Sequence, residues 1–134
     1  MIVSALSNLC LSGNRNSVPK PWYFDSAASN HMTNTALPLT NVKKYKGNLH
    51  ICTADGNPLS ITVVGDISAL LNTVFVSPKL STNLMSLGNL VDNNSDVHFS
   101  NSGYLVQDQV SGKMIAKGPK VGRLFPLLLS PSPV

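Results

Sequence analysis

The sequence predicts an all-β fold: a small closed β-barrel with one short helix. Three observations carry that expectation. All six acidic residues among the 134 are aspartates and glutamate is absent, so a good helix former is missing and a turn-forming acid stands in its place. Short apolar or alternating runs rich in Val, Ile and Thr recur between turn signals, and no long segment keeps a helical period. At this length one core of ordinary size can be buried, which suits a small barrel or sandwich.

Taken in order, the chain divides into an N-terminal extension and linker over 1–21, one domain over 22–127 and a flexible tail over 128–134. The strip Met1 to Leu11 is mildly apolar, but Ser4, Ser7 and Asn8 interrupt it and no basic stretch precedes it. It lacks the pattern of a signal peptide and the roughly 20 apolar residues of a membrane span. Residues 12–21, SGNRNSVPKP, are polar and punctuated by Gly and Pro, the composition of a linker. Strand-like runs follow at Trp22 to Phe24, Leu49 to Thr53, Leu59 to Val64, Ile67 to Leu71, Thr73 to Val76, Val97 to Phe99, Tyr104 to Val106 and Met114 to Ala116. Asp55-Gly56-Asn57-Pro58 and Ser111-Gly112-Lys113 lie between such runs and supply the residues of hairpin turns. The first is expected to be exposed. Apolar residues at roughly helical spacing place the one short helix over Asn83 to Leu90.

Net charge is +4 and the isoelectric point about 9.3. The cations are scattered apart from Lys43, Lys44 and Lys46, too sparse for a dedicated nucleic-acid binder. Two cysteines, Cys10 and Cys52, make neither a disulfide framework nor a paired zinc signature. An intracellular, cytoplasmic setting without membrane contact fits that usage.

The stretch that carries chemistry is Trp22-Tyr23-Phe24-Asp25-Ser26-Ala27-Ala28-Ser29-Asn30-His31-Met32. Three bulky apolar residues lead into an aspartate, and small residues follow it. Delivering an acid from an apolar strand into a tight loop costs desolvation that a surface aspartate avoids. Locally the same pattern also fits an aspartate that ends a strand and caps the next turn.

Asp25-Ser26-Ala27 resembles the Asp-Ser/Thr-Gly loop of retroviral-type (retropepsin-like) aspartic proteases. The wider WYFDSAASNHMT resembles the protease region of Ty1/copia retrotransposon Pol polyproteins, where Trp-x-x-Asp-Ser-Gly-Ala-Ser-x-His-Met is typical. TADGNPLSITVVGDI, TVFVSPKLSTNLMSLGNL and VHFSNSGYLVQDQVSGKMIAKGPKVGRLFPL resemble three further blocks of that family in order, so the likeness runs from about Trp22 to Leu127.

The resemblance implies a retropepsin-like barrel and an aspartic endopeptidase that acts as a C2 homodimer on an extended peptide or polyprotein. Asp25 from each copy would form the catalytic dyad, because each chain has only one such loop and two carboxylates must share a proton. Ser26 would bond backbone across the dimer axis, and Ala27 and Ala28 would keep the loop narrow. Thr53, Ala54, Asp55, Gly56 and Asn57 would form the flap over the substrate. No metal or organic cofactor is needed. Ala27 stands where the family carries glycine, and its methyl is expected to crowd substrate or twin loop, or to demand a φ that alanine resists. Ser81 likewise replaces a family glycine. The alternative is a catalytically silent β-barrel serving as a dimerisation or peptide-binding module.

Other signals weigh less. Asp25, Ser26 and His31 lie too close in sequence for a hydrolase triad and lack the Gly-x-Ser-x-Gly elbow. His50 and Cys52 share one strand face, with His31 and Cys10 as conceivable zinc partners, but the spacing is weak. His98 reads as a solvent-facing strand residue, Lys43 to Lys46 as a solvated loop, and Asp55, Asp66 and Asp108 as turn or strand-end residues.

Overall fold

Trp22, Tyr23 and Phe24 begin a strand, β1 (Trp22–Asp25), in which only Phe24 is not buried. Both faces of β1 are covered, which is why its sequence reads as a continuous apolar run rather than an alternation. In a computed structural model, residues 20–53, 55–68 and 70–128 are described. The remaining strands are β2 (His31–Thr33), β3 (Thr40–Lys44), β4 (His50–Cys52), β5 (Pro58–Ser60), β6 (Val63–Asp66), β7 (Val74–Val76) and β8 (Asn83–Ser86). The helix α1 (Leu87–Asp92) follows, then β9 (Ser95–Ser100), β10 (Gly103–Asp108), β11 (Met114–Gly118) and β12 (Pro126–Leu127).

Seven strands form one mixed sheet in the order β12-β1-β8-β2-β7-β6-β3. β9, β10 and β11 form an antiparallel sheet of three, and β4 and β5 pair as a separate hairpin. The middle of the large sheet, at β7 and β8, is buried on two sides. Val74 and Val76 of β7 join a cluster with Trp22, Leu71, Met85, Leu90 and Val106, whereas Phe75 joins Ala28, Met32, Ile51, Ile61 and Leu80. That split follows from the alternation of side chains along a strand. The second cluster ties the loop after β1 to the β4–β5 hairpin. At about 1.5–3 kcal/mol for each fully buried large apolar side chain, Met32, Ile51, Ile61, Phe75 and Leu80 anchor both elements.

Phe24 packs edge-on against Phe99 and Tyr104, with ring centroids 5.2 and 5.0 Å apart, and so joins the large sheet to the three-stranded one. The Tyr104 hydroxyl donates to the Pro126 carbonyl at 3.0 Å, and burial raises its pKa. At the far edge β3 presents Lys43 and Lys44 to solvent. Edge lysines discourage pairing with another chain, so this cluster lies partly on an edge strand and not wholly in a loop.

Both expected hairpins form. Gly56 (φ 86°) turns the β4–β5 hairpin and Gly112 (φ 72°) the β10–β11 hairpin. Four expectations change. The barrel is not closed, because β12 and β3 are edges with no strand pairing them to each other. The helix starts four residues later than Asn83, since Asn83–Ser86 is a central strand buried at every position. Leu59 to Val64 splits between β5 and β6, which belong to different sheets. Ile67 and Leu71 lie outside any strand, and the Ile67 N–H donates to the Leu71 carbonyl at 2.9 Å. Residues 1–19 of the extension expected over 1–21, residues 129–134 of the tail expected over 128–134, Cys10 and Ala54 lie outside the described residues.

Candidate active site

The arrangement at Asp25 is set by strand order. β8 runs between β1 and β2, parallel to β1 with Asp25 opposite Ser86, and antiparallel to β2 with Met32 opposite Leu84. The loop from Asp25 to His31 therefore arches over the end of β8, where α1 begins. Small side chains at Ser26, Ala27, Ala28 and Ser29 allow so tight a crossing. Ala28 is buried, while Ser26 and Ala27 are exposed.

Asp25 itself is 2% exposed. Its Oδ1 accepts the Ala27 N–H at 2.8 Å, and its Oδ2, also buried, has no hydrogen-bond partner among the described residues. A buried carboxylate oxygen left without a donor is costly. Ala27 holds Asp25 through its backbone, and its φ lies outside the left-handed region. Within a single chain the expected conformational conflict at Ala27 is therefore absent.

His31 is fully buried. Its Nδ1 accepts the Ser86 N–H at 3.0 Å, and its Nε2 has no partner among the described residues. Burial pushes its pKa down to about 4, opposed in part by the Asn89 side chain. Ser86 is a junction of three elements: register partner of Asp25, donor to His31, and N-cap of α1, its Oγ accepting the Asn89 N–H at 3.1 Å. Sequence reasoning missed the pairing of His31 with Ser86. The signals available were the His-Met pair after the small-residue loop and a serine three residues before Asn89.

Facing the loop, the β4–β5 hairpin is braced at its tip by Asp55. Oδ1 of Asp55 accepts from the Asn57 N–H at 3.1 Å and from the Thr53 hydroxyl, and the Gly56 N–H donates to the Thr53 carbonyl at 3.0 Å. The Thr53 hydroxyl and the Asn57 N–H hold the Asp55 carboxyl below the usual range. Between hairpin and loop lies a groove of about 320 Å³, with Ala27, Asn30 and Met32 on one side, His50 and Cys52 on another and Phe75 beneath. Asp25 does not line it. A larger concavity of about 820 Å³ includes Tyr23, Tyr104 and Leu127 but no residue of the loop or the hairpin.

The remaining candidates take ordinary places. His50 and Cys52 share the exposed face of β4, and no group of three or more metal-ligating side chains occurs among the described residues. His98 is exposed on β9. Asp66 accepts the Thr73 N–H at 2.9 Å, and Asp108 accepts the Ser111 N–H at 2.7 Å, each lying below the usual carboxylate range for that reason. No helix among the described residues is long and apolar enough to cross a membrane.

Residues 22–95, which run from β1 to the first residue of β9, match the family model described as the Pol polyprotein, beta-barrel domain. The chain belongs to this family. It is also similar to a retrovirus-related Pol polyprotein from transposon RE2 of Arabidopsis thaliana, 29% identical over 112 residues. That match covers 78% of this chain and 8% of the relative, so the chain spans less than a tenth of the polyprotein's length. No solved structure matches. This Pol β-barrel domain is thus all-β with one short helix, and its sequence is similar to a stretch of a retrotransposon Pol polyprotein.

Proposed function

We propose that this Pol domain is an aspartic endopeptidase of retropepsin type that works as a C2 homodimer. The observation that carries the reading is Asp25. It is a buried acid on a tight loop, with one oxygen held by a backbone N–H and the other lacking a partner among the described residues. A second copy of the loop would bring a second carboxylate to that free oxygen, and two such groups share one proton.

In the dyad, the ionised Asp25 takes a proton from water as the oxygen attacks the scissile carbonyl carbon. The protonated partner gives its proton to the carbonyl oxygen, producing a neutral gem-diol. Collapse breaks the C–N bond, returns a proton to the nitrogen and leaves a carboxylic acid and an amine. The substrate is an extended polypeptide held between the hairpin, which offers backbone groups to it, and the two Asp25 loops of the dimer, rather than in the single-chain groove that Asp25 does not line. Tight bracing of the tip by Asp55 lets the hairpin close as a unit.

Cleavage of an unstructured protein tests the proposal. Activity should rise with more than the first power of protein concentration, because each site needs two chains. Pepstatin-type inhibitors and Asp25→Asn should abolish it. Stable dimers or peptide complexes without cleavage would instead support the silent module.

A further inference from the structure

His31 is a polar group that the proposed chemistry does not use, yet it is among the most deeply buried residues. Its Nδ1 accepts a backbone N–H, so that nitrogen carries no proton, and in the neutral ring the proton sits on Nε2. A protonated ring would set an N–H at Nδ1 against the N–H of Ser86, two donors facing each other. The hydrogen bond exists only while the ring is neutral.

We infer that His31 is a positioning residue whose neutral Nε2–H tautomer ties the Asp25 loop to Ser86 at the β8–α1 junction, and that protonation of the ring releases this tie. The bond connects residues 55 positions apart. It meets the chain at the one residue that is opposite Asp25 in the sheet and also caps α1. Its loss leaves the Ser86 N–H unpaired in a buried site and frees the strand end that sets the height of Asp25.

The surroundings hold the ring neutral. From β7 comes Val74, opposite His31, on a strand without a charged residue. From β8 comes the polar but uncharged Ser86, and from α1 the amide of Asn89, with Asp92 exposed at the far end of the helix. β1 contributes the carboxyl group of Asp25, beyond β8. Burial is the larger influence on the ring and Asn89 the smaller. Neither is a charge, so no paired anion holds a proton on His31.

The consequence for cleavage rests on the protease reading, but the test does not. Long-range ¹H–¹⁵N spectra of the labelled protein report the tautomer, and an acid titration follows the Ser86 amide. The expected result is an Nε2–H ring at neutral pH and an upfield move of the Ser86 amide proton in step with His31 protonation. His31→Asn, whose Oδ1 can stand near the place of Nδ1, should keep the amide downfield and remove the pH step. His31→Leu should shift it upfield at every pH. Should that variant fail to fold, the wild type and His31→Asn carry the comparison. An Nδ1–H tautomer, or a Ser86 amide indifferent to His31 ionisation, overturns the inference. A protein that shows the coupling but cleaves nothing would refute the protease reading alone, and cleavage without the coupling would refute the positioning role alone.

Discussion

Acidification should weaken this fold through His31, and the size follows from its burial. The native ring, pushed down to about 4, stays neutral where an unfolded histidine at 6.5 already takes a proton. The sign is therefore fixed: the contribution is complete above about pH 6.5, falls as pH drops through that value and levels off below about pH 4. At about 1.4 kcal/mol per tenfold difference in proton affinity, the gap amounts to about 3 kcal/mol. That is a large share of the 5–15 kcal/mol typical of a domain. Urea unfolding of wild type and His31→Asn at about pH 7, 6, 5 and 4, at protein concentrations low enough to keep single chains, isolates it, because the asparagine does not titrate. Wild type should lose about 3 kcal/mol more than the variant between the extremes. Asp55, Asp66 and Asp108 lie below their usual range, so their support is present above that range and is lost only in stronger acid, equally in both proteins. Parallel curves for the two proteins would refute the reasoning.

Further outcomes follow from the packing. Leu84, fully buried, should cost about 2–5 kcal/mol as Leu84→Ala, measured by denaturant midpoint. Thr33 donates its hydroxyl to Asn83 Oδ1 at 2.7 Å inside the sheet, so Thr33→Val should cost about 1–3 kcal/mol in thermal unfolding by stranding that oxygen. Ala27 has an ordinary backbone conformation, so Ala27→Gly should lower stability by about 0.4–1 kcal/mol through the freer unfolded chain. A gain in stability would mean that the methyl is strained.

How much of this was legible in the sequence depended on how local the cause was. The turns at Gly56 and Gly112 were readable because hairpin chemistry lies within four residues, and Asp25 stood out because apolar bulk precedes it and small residues follow. The start of α1 was not readable. Asn83–Ser86 is buried on both faces, and a short strand of that kind shows no period that separates it from a helix. β3 was missed because all five of its residues are exposed, leaving no apolar signal, and its pairing with β6 carries a bulge near Asn41 (φ 54°). Barrel closure depends on whether distant edges meet, which no run of short strands encodes. The bond from Ser86 to His31 spans 55 positions and exists only because β8 enters between β1 and β2.

The central claim is that Asp25 is half of a catalytic dyad completed by a second chain. Its most direct measurement mixes wild-type protein with increasing amounts of Asp25→Asn and follows cleavage of an unstructured substrate. The account predicts that wild type alone cleaves, that the variant alone does not, and that added variant suppresses activity by drawing wild-type chains into dimers with one functional carboxylate. Undiminished activity in the mixture, or cleavage by Asp25→Asn alone, would contradict it.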